Sequence, residues 1–364
     1  MTAARPVPLP EGLRLRYPIV QGPFGGGLST VALAAAVADA GGLGGYGAHI
    51  LTPDDITATV KALHAATDGP FAVNLWVPQE GEETRPSAAE TARHLERLRP
   101  YYRELGIPEP DLGPESGPPV PGFAEQLDAL LAASPPAVSF VMGVPPREAV
   151  DRARRQGTVV IGTATTVAEA EALEAGGVDV VVASGADAGG HRGAFLRPLR
   201  ESLVGTLALV PQVVDAVSLP VIAAGGIGDG RGVAAALTLG ASAVQIGTGF
   251  LATDEGGAAA AHRRLLGTPE ARSTVLTRLF SGRHARGIPN RVVRELADAE
   301  DAVPAYPVQS ELMQPLRRAA AERGRPELMS LWAGQAAALA TGGGAAAYLD
   351  RLVREAGEAL GRPL

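Results

Sequence analysis

The 364-residue chain contains no cysteine. That excludes disulfides, iron–sulfur clusters, thiolate metal sites and every mechanism built on a cysteine nucleophile. Lysine is almost absent too. The one copy, Lys61, lies in the helical stretch Ile56–Lys61 rather than at a strand end. A P-loop needs Gly-Lys-Ser/Thr, and Schiff-base or pyridoxal-phosphate chemistry needs a lysine in the site, so these are set aside. No two histidines have the His-x-x-x-His spacing of a metal site, and no metal is expected. Long apolar runs are missing. Val31–Gly45 is broken by Asp39 and by glycines, far short of a membrane span, and Met1–Arg16 has no apolar signal core. The net charge of −7 argues against nucleic acid or an anionic membrane as partner. A cytoplasmic protein is expected.

What is present is ordinary globular material, 46% apolar and 20% charged. The 46 glycines and 30 prolines follow no period and read as many tight turns. Eight short, mostly continuous apolar runs read as strands buried on both faces of a parallel sheet. They are Ile19–Pro23, Leu43–Ala48, Phe71–Val77, Ala137–Gly143, Thr158–Thr165, Val178–Gly185, Pro220–Gly226 and Ala243–Gly249. Helical patterns fall between them at Thr30–Ala40, Pro53–Ala66, Pro146–Gln156, Val167–Ala175 and Gly230–Leu239. Thr52 with Asp55, and Thr166 with Glu169, read as N-caps. Eight such units predict an α/β (β/α)₈ TIM barrel, with an open doubly wound sheet as the rival.

Two stretches break the rhythm. Residues 79–123 form a lid-like insertion after the third strand, with Tyr101-Tyr102 followed by a Pro- and Gly-rich run. Thr253–Gly344 is helical in pattern and shows no convincing strand. The expected layout is a barrel over 1–253, a small helical substrate domain over 254–344, and a last helix over 345–364 returning to the barrel.

In such a barrel the working face is the C-terminal end of the strands. The loop after the seventh strand reads Gly225-Gly226-Ile227-Gly228-Asp229-Gly230, and the eighth strand runs into Gln245-Ile246-Gly247-Thr248-Gly249. Glycines let a backbone approach a ligand, and these two loops are where barrels hold phosphate. The same glycines could also serve only as turns. After the sixth strand stands Asp187-Ala188-Gly189-Gly190-His191-Arg192-Gly193. An imidazole there can reach a bound substrate, for proton transfer or for anion stabilisation. Of the other histidines, His64, His94 and His262 read as helix surface, His284 as part of the turn Ser281–Gly287, and His49 has a small chance of facing the site. Asn74 is an amide inside the third strand and needs either a backbone or a ligand partner. Asp187, Asp229, Asp254 and Glu255 follow strands, but no spacing marks an acid–base pair.

Together, Pro18–Pro23, Ala40–Gly44, Val73–Leu75, Asp187–Gly193, Ala224–Ile227 and Leu239–Thr248 resemble the nitronate monooxygenase family. Phe250–Glu255, Tyr306-Pro307 and Leu331–Gln335 extend the resemblance. It implies a barrel that uses FMN and O₂ to oxidise an alkyl nitronate to a carbonyl compound and nitrite. It also implies that Asn74, Ser184, Gly189, Gly226, Gln245, Ile246, Gly247 and Thr248 hold FMN and that His191 is catalytic. Ser184 stands where the family usually carries Gln, Phe24 where it carries Met and Gly22 where it carries Ala. The expected partners are a small-molecule nitronate and O₂, on a monomer or homodimer. The related flavin-dependent enoyl-ACP or enoyl-thioester reductase, an NAD(P)H:quinone reductase, and a non-catalytic phospholigand-binding barrel are the alternatives.

Overall fold

The computed structural model describes residues 6–81, 86–110 and 122–364. Eight parallel strands form the central sheet in the order β1-β9-β8-β6-β5-β4-β3-β2. They are β1 (Ile19–Gln21), β2 (Gly44–Gly47), β3 (Phe71–Trp76), β4 (Ala137–Val141), β5 (Val159–Ala164), β6 (Val180–Ser184), β8 (Val221–Ala224) and β9 (Ala243–Ile246). The ring closes between its ends. Leu43 N–H donates to Ile19 O, and Gln21 N–H donates to Leu43 O, both at 2.9 Å. Every strand falls inside a run expected from the sequence, and the open sheet is excluded.

The strands are mostly apolar because each faces two cores. Val20, Leu43, Ile161, Val180, Val182 and Ile222 fill the barrel interior, which Leu13 plugs from below. Their neighbours Ile19, Val73, Val181 and Val244 face the surrounding helices. Those helices are α1 (Val31–Asp39), α2 (Pro53–Ala66), α4 (Phe123–Ala132), α5 (Arg147–Arg155), α6 (Val167–Gly176), α7 (Thr206–Ala216) and α8 (Gly230–Thr238). Thr52 and Thr166 cap α2 and α6 as expected, each accepting from the N–H three residues on.

Helix α3 (Ala88–Leu105), from the insertion, packs into a second core with Leu312, Leu316 and Phe280. Tyr102 Oη donates to Leu312 O at 2.6 Å, and Tyr101 Oη donates to Glu295 at 2.7 Å. Most of the Pro- and Gly-rich run after it lies outside the described residues. The second core also contains residues of α9 (Thr248–Leu251), α10 (Ala260–Arg263), α11 (Arg291–Glu295) and α12 (Val308–Glu322). The last helix, α13 (Ala345–Leu360), lies against α1 and α8, with Tyr348 Oη donating to Gly228 O at 2.9 Å.

Two expectations are corrected. The stretch Thr253–Gly344 does contain strands. β10 (Val275–Thr277) and β11 (Ala285–Gly287) form a small antiparallel sheet with β7 (Gly190–His191). Three residues or fewer per strand leave no apolar run to read, and the pairing spans a long sequence separation. His262 is not on a helix surface but is 2% exposed, because it lies on the buried side of the four-residue α10, next to Ala261 of the second core.

Candidate active site

The glycine loops sit together on the C-terminal face of the barrel. After β8 the chain turns through Gly225 and Gly226, at φ +107° and +68°, the left-handed region that favours glycine. A Cβ on Gly225 would lie 2.8 Å from Thr206 Oγ1 and 2.9 Å from Ala188 N. Asp187 is committed to structure here, accepting from Thr206 N–H at 2.7 Å and Thr206 Oγ1 at 2.8 Å. Its carboxylate therefore anchors α7 rather than serving as a base. Gly226 itself is exposed, and no acceptor among the described residues takes its N–H or that of Gly247. Such donors suit an anion.

The chain at Ala333–Gln335 joins these loops. Gly334 N–H donates to Thr248 Oγ1 at 2.9 Å, and Gln335 N–H donates to Asp187 O at 2.9 Å. A Cβ on Gly189 would lie 2.4 Å from Gly334 N, so close backbone packing already requires that glycine. Gly226, Gly189 and Thr248 are thus gathered around Asp187 and Gly334. Ser184, Ala224 and Gln245 stand side by side in the ladder just below. Gln245 lines a small interior cavity with Gln21 and Ser139. Asn74 is buried and donates to Ser139 O at 3.1 Å and Oγ at 3.0 Å, which leaves its amide oxygen for another partner. Ile246 points elsewhere. Its side chain is 1% exposed in the core between barrel and helices, so only its backbone is near the loops.

Two other carboxylates after the strands are also structural. Asp229 caps α8 and pairs with Arg231, and Glu255 accepts from Ala345 N–H at the start of α13 at 2.9 Å.

His191 faces a wall of side chains. Trp76, at the end of β3, meets its ring edge-on at 4.9 Å, and Trp332 lies tilted at 5.4 Å. These are the only two tryptophans in the chain. His49 does face the site. Its imidazole stacks on Trp76 at 3.6 Å with planes 4° apart, and Gly25 makes room for it, since a Cβ there would lie 2.0 Å from the ring. Arg283 lies over the rings of Trp76 at 4.9 Å and Tyr306 at 4.6 Å, and it contacts Met142 Sδ at the end of β4. The strand pairing that seats His191 also brings this turn in, with Arg192 N–H donating to His284 O at 2.9 Å.

The electrostatics of this wall favour neutral imidazoles. Burial, then the nearby His49, Arg283 and Arg317, hold His191 well below the ordinary histidine value. Burial and Arg283 push His49 down to about 3. Arg192 is buried beneath, donating to Gly185 O at 2.6 Å and Ser184 O at 2.9 Å. Such a site can accept a proton from a neutral substrate and face an anion with arginine.

Sequence reasoning missed Trp76, Trp332, Ser281, Arg283 and Tyr306 as parts of the site. Trp76 carried a usable signal as the last residue of a barrel strand, and Tyr306 and Trp332 did as members of the family-like segments Tyr306-Pro307 and Leu331–Gln335.

Barrel, glycine loops and an imidazole at the strand ends define a (β/α)₈ protein with a ligand-binding site on its C-terminal face. The nitronate monooxygenase family model matches residues 8–355, and the chain belongs to that family. It is 38% identical to a probable nitronate monooxygenase of Staphylococcus saprophyticus, over 96% of this chain and 97% of that one. The corresponding protein of Staphylococcus aureus strain Newman is 39% identical, over 92% of each. Among solved structures, the nitroalkane oxidase of Streptomyces ansochromogenes superposes with a TM-score of 0.86 at 41% identity, covering 96% of this chain and 98% of that one. FabK from Thermotoga maritima superposes at 0.74 with 29% identity, over 96% of each. Family membership makes the protein an oxidoreductase of nitro compounds in a flavin-dependent family.

Proposed function

We propose that the protein binds FMN and uses O₂ to oxidise alkyl nitronates, and the nitroalkanes that give rise to them, to a carbonyl compound and nitrite. One observation carries this reading: the His191 ring contacts both Trp76, at the end of β3, and Trp332, on the barrel face whose glycine loops hold N–H groups that no acceptor takes among the described residues. The residues present fit the cofactor. Gly226 and Gly247 offer backbone N–H groups to its phosphate, and the nearby Asp187 carboxylate is turned to Thr206. The Asn74 amide oxygen and the Gln245 side chain would face its polar ring edge. Ser184, shorter than the usual Gln, leaves room beside it.

A flavin held there would supply an electron acceptor that O₂ can reoxidise. The protein's own residues do the rest. Trp76 and Trp332 exclude water and offer flat apolar walls. Neutral His191 takes the proton next to the nitro group when the substrate enters as the nitroalkane. Arg283 balances the negative charge that remains on the nitro oxygens.

Likeness to FabK favours a second reading, reduction of an enoyl thioester with NAD(P)H. The two part in a simple assay. FMN-loaded protein, air and a propyl nitronate should yield nitrite in proportion to O₂ consumed. Nitrite-free turnover of a crotonyl thioester with NADH would replace the first reading by the second.

A further inference from the structure

Which nitrogen of His191 can act as a base is set by what the other one touches. Nε2 lies 2.8 Å from Ser281 Oγ. Ser281 is 2% exposed, and its oxygen has two further neighbours, Arg283 O at 3.0 Å and Arg283 N at 3.3 Å. A carbonyl only accepts and a serine hydroxyl has a single proton. We assign that proton to Arg283 O, and Ser281 Oγ then receives hydrogen bonds from Arg283 N–H and from His191. Nε2 therefore carries the imidazole hydrogen, and the lone pair is on Nδ1.

The neutral state this requires agrees with the surroundings. The charged or titratable groups facing His191 are His49 beyond β2, Arg283 in the turn after β10 and Arg317 on α12, and all disfavour a second proton. The turn is not free to drift. β7 pairs with β11 through Ala285 and Arg286, and Arg192 N–H holds His284 O.

We propose that Ser281 is a positioning residue that locks His191 in the Nε2–H tautomer, making Nδ1 the base that deprotonates a neutral nitroalkane. This rests on the function proposed above. In the step, the C–H bond next to the nitro group breaks and its proton goes to Nδ1. The electron pair moves into the nitro group, giving the nitronate and an imidazolium whose Nε2–H still points at Ser281.

The lock can be read without turnover. Nitrogen NMR of flavin-loaded protein labelled at histidine, with His191→Asn assigning the signal, should show Nε2–H in the unaltered protein. Ser281→Ala should give a mixture of tautomers, and Ser281→Thr should restore one form. In parallel, the ratio of kcat/KM for nitroethane to that for preformed ethyl nitronate should fall at least about tenfold in Ser281→Ala and recover in Ser281→Thr. An Nδ1–H signal in the unaltered protein overturns the lock. An unchanged ratio in Ser281→Ala overturns the role in proton abstraction. If the unaltered protein oxidises neither compound, the base role falls with the proposed function, while the spectrum still decides the lock.

Discussion

The two sides of the site are built from different materials. The side formed by the loops after β8 and β9 is backbone: Gly225 and Gly226 at positive φ, with Gly247 and Thr248 across from them. The His191 side is made of side chains from the ends of β2, β3 and β4 and from a turn far along the chain. The backbone cradle leaves no room for a side chain at Gly225 and is tied down by Gly334, whose N–H donates to Thr248. The aromatic and cationic wall exists only once the small β7–β11–β10 sheet has formed. Cofactor binding should therefore depend on the first side, and substrate chemistry on the second.

The sharpest way to break that division is to remove the imidazole. His191→Asn should keep flavin absorbance and lose about 10²–10⁴-fold in nitroalkane turnover, measured as nitrite release. Loss of flavin instead would join the two sides. The converse is Gly226→Val. A β-branched residue at φ +68° is strained, and its Cβ would lie 3.1 Å from Asp187 Cβ. FMN affinity should fall about 100-fold or more in equilibrium dialysis, an effect of about 3 kcal/mol, and the strained backbone should also lower the unfolding temperature of the flavin-free protein by a few degrees.

A smaller effect is expected from Arg283→Met. With the cation gone, KM for a nitronate anion should rise about tenfold. The acid limb of the pH profile should move to higher pH, because Arg283 is one of the groups holding His191 down. An unmoved limb would remove Arg283 from the wall.

The smallest effect concerns stability. Burial pushes His262 down to about 4 and His49 to about 3. Below the ordinary value of about 6.5 the unfolded chain takes up protons that the folded chain refuses. Stability from these groups is complete above that value and is lost as pH falls toward 4 and 3. Each should contribute a loss of about 1.4 kcal/mol between about pH 7.5 and about pH 5.5 in urea titrations. His262→Leu should flatten that slope by its own share.

The same division explains what the sequence made visible. The eight strands announce themselves because burial on both faces makes each a continuous apolar run, and Thr52 and Thr166 mark helix starts by local chemistry. The glycine loops are equally local, since positive φ writes itself as Gly225-Gly226. Gly189, which the family resemblance marks as a flavin ligand, has the Gly334 backbone packed against it. The wall was hidden. Trp332 and Arg283 join it only through contacts with His191 and Trp76 across long stretches of chain. His262 misled because a four-residue helix looks exposed until the second core covers it.

The central claim is that FMN on the glycine loops receives electrons from a nitro compound held at the His191 wall. Mixing FMN-loaded protein with propyl nitronate in the absence of air tests it most directly. Rapid loss of the visible flavin band, reversed on admitting O₂ and not produced by NADH or NADPH alone, is the expected result. A protein that stays colourless after FMN addition, or whose flavin bleaches only with a reduced nicotinamide, would contradict it.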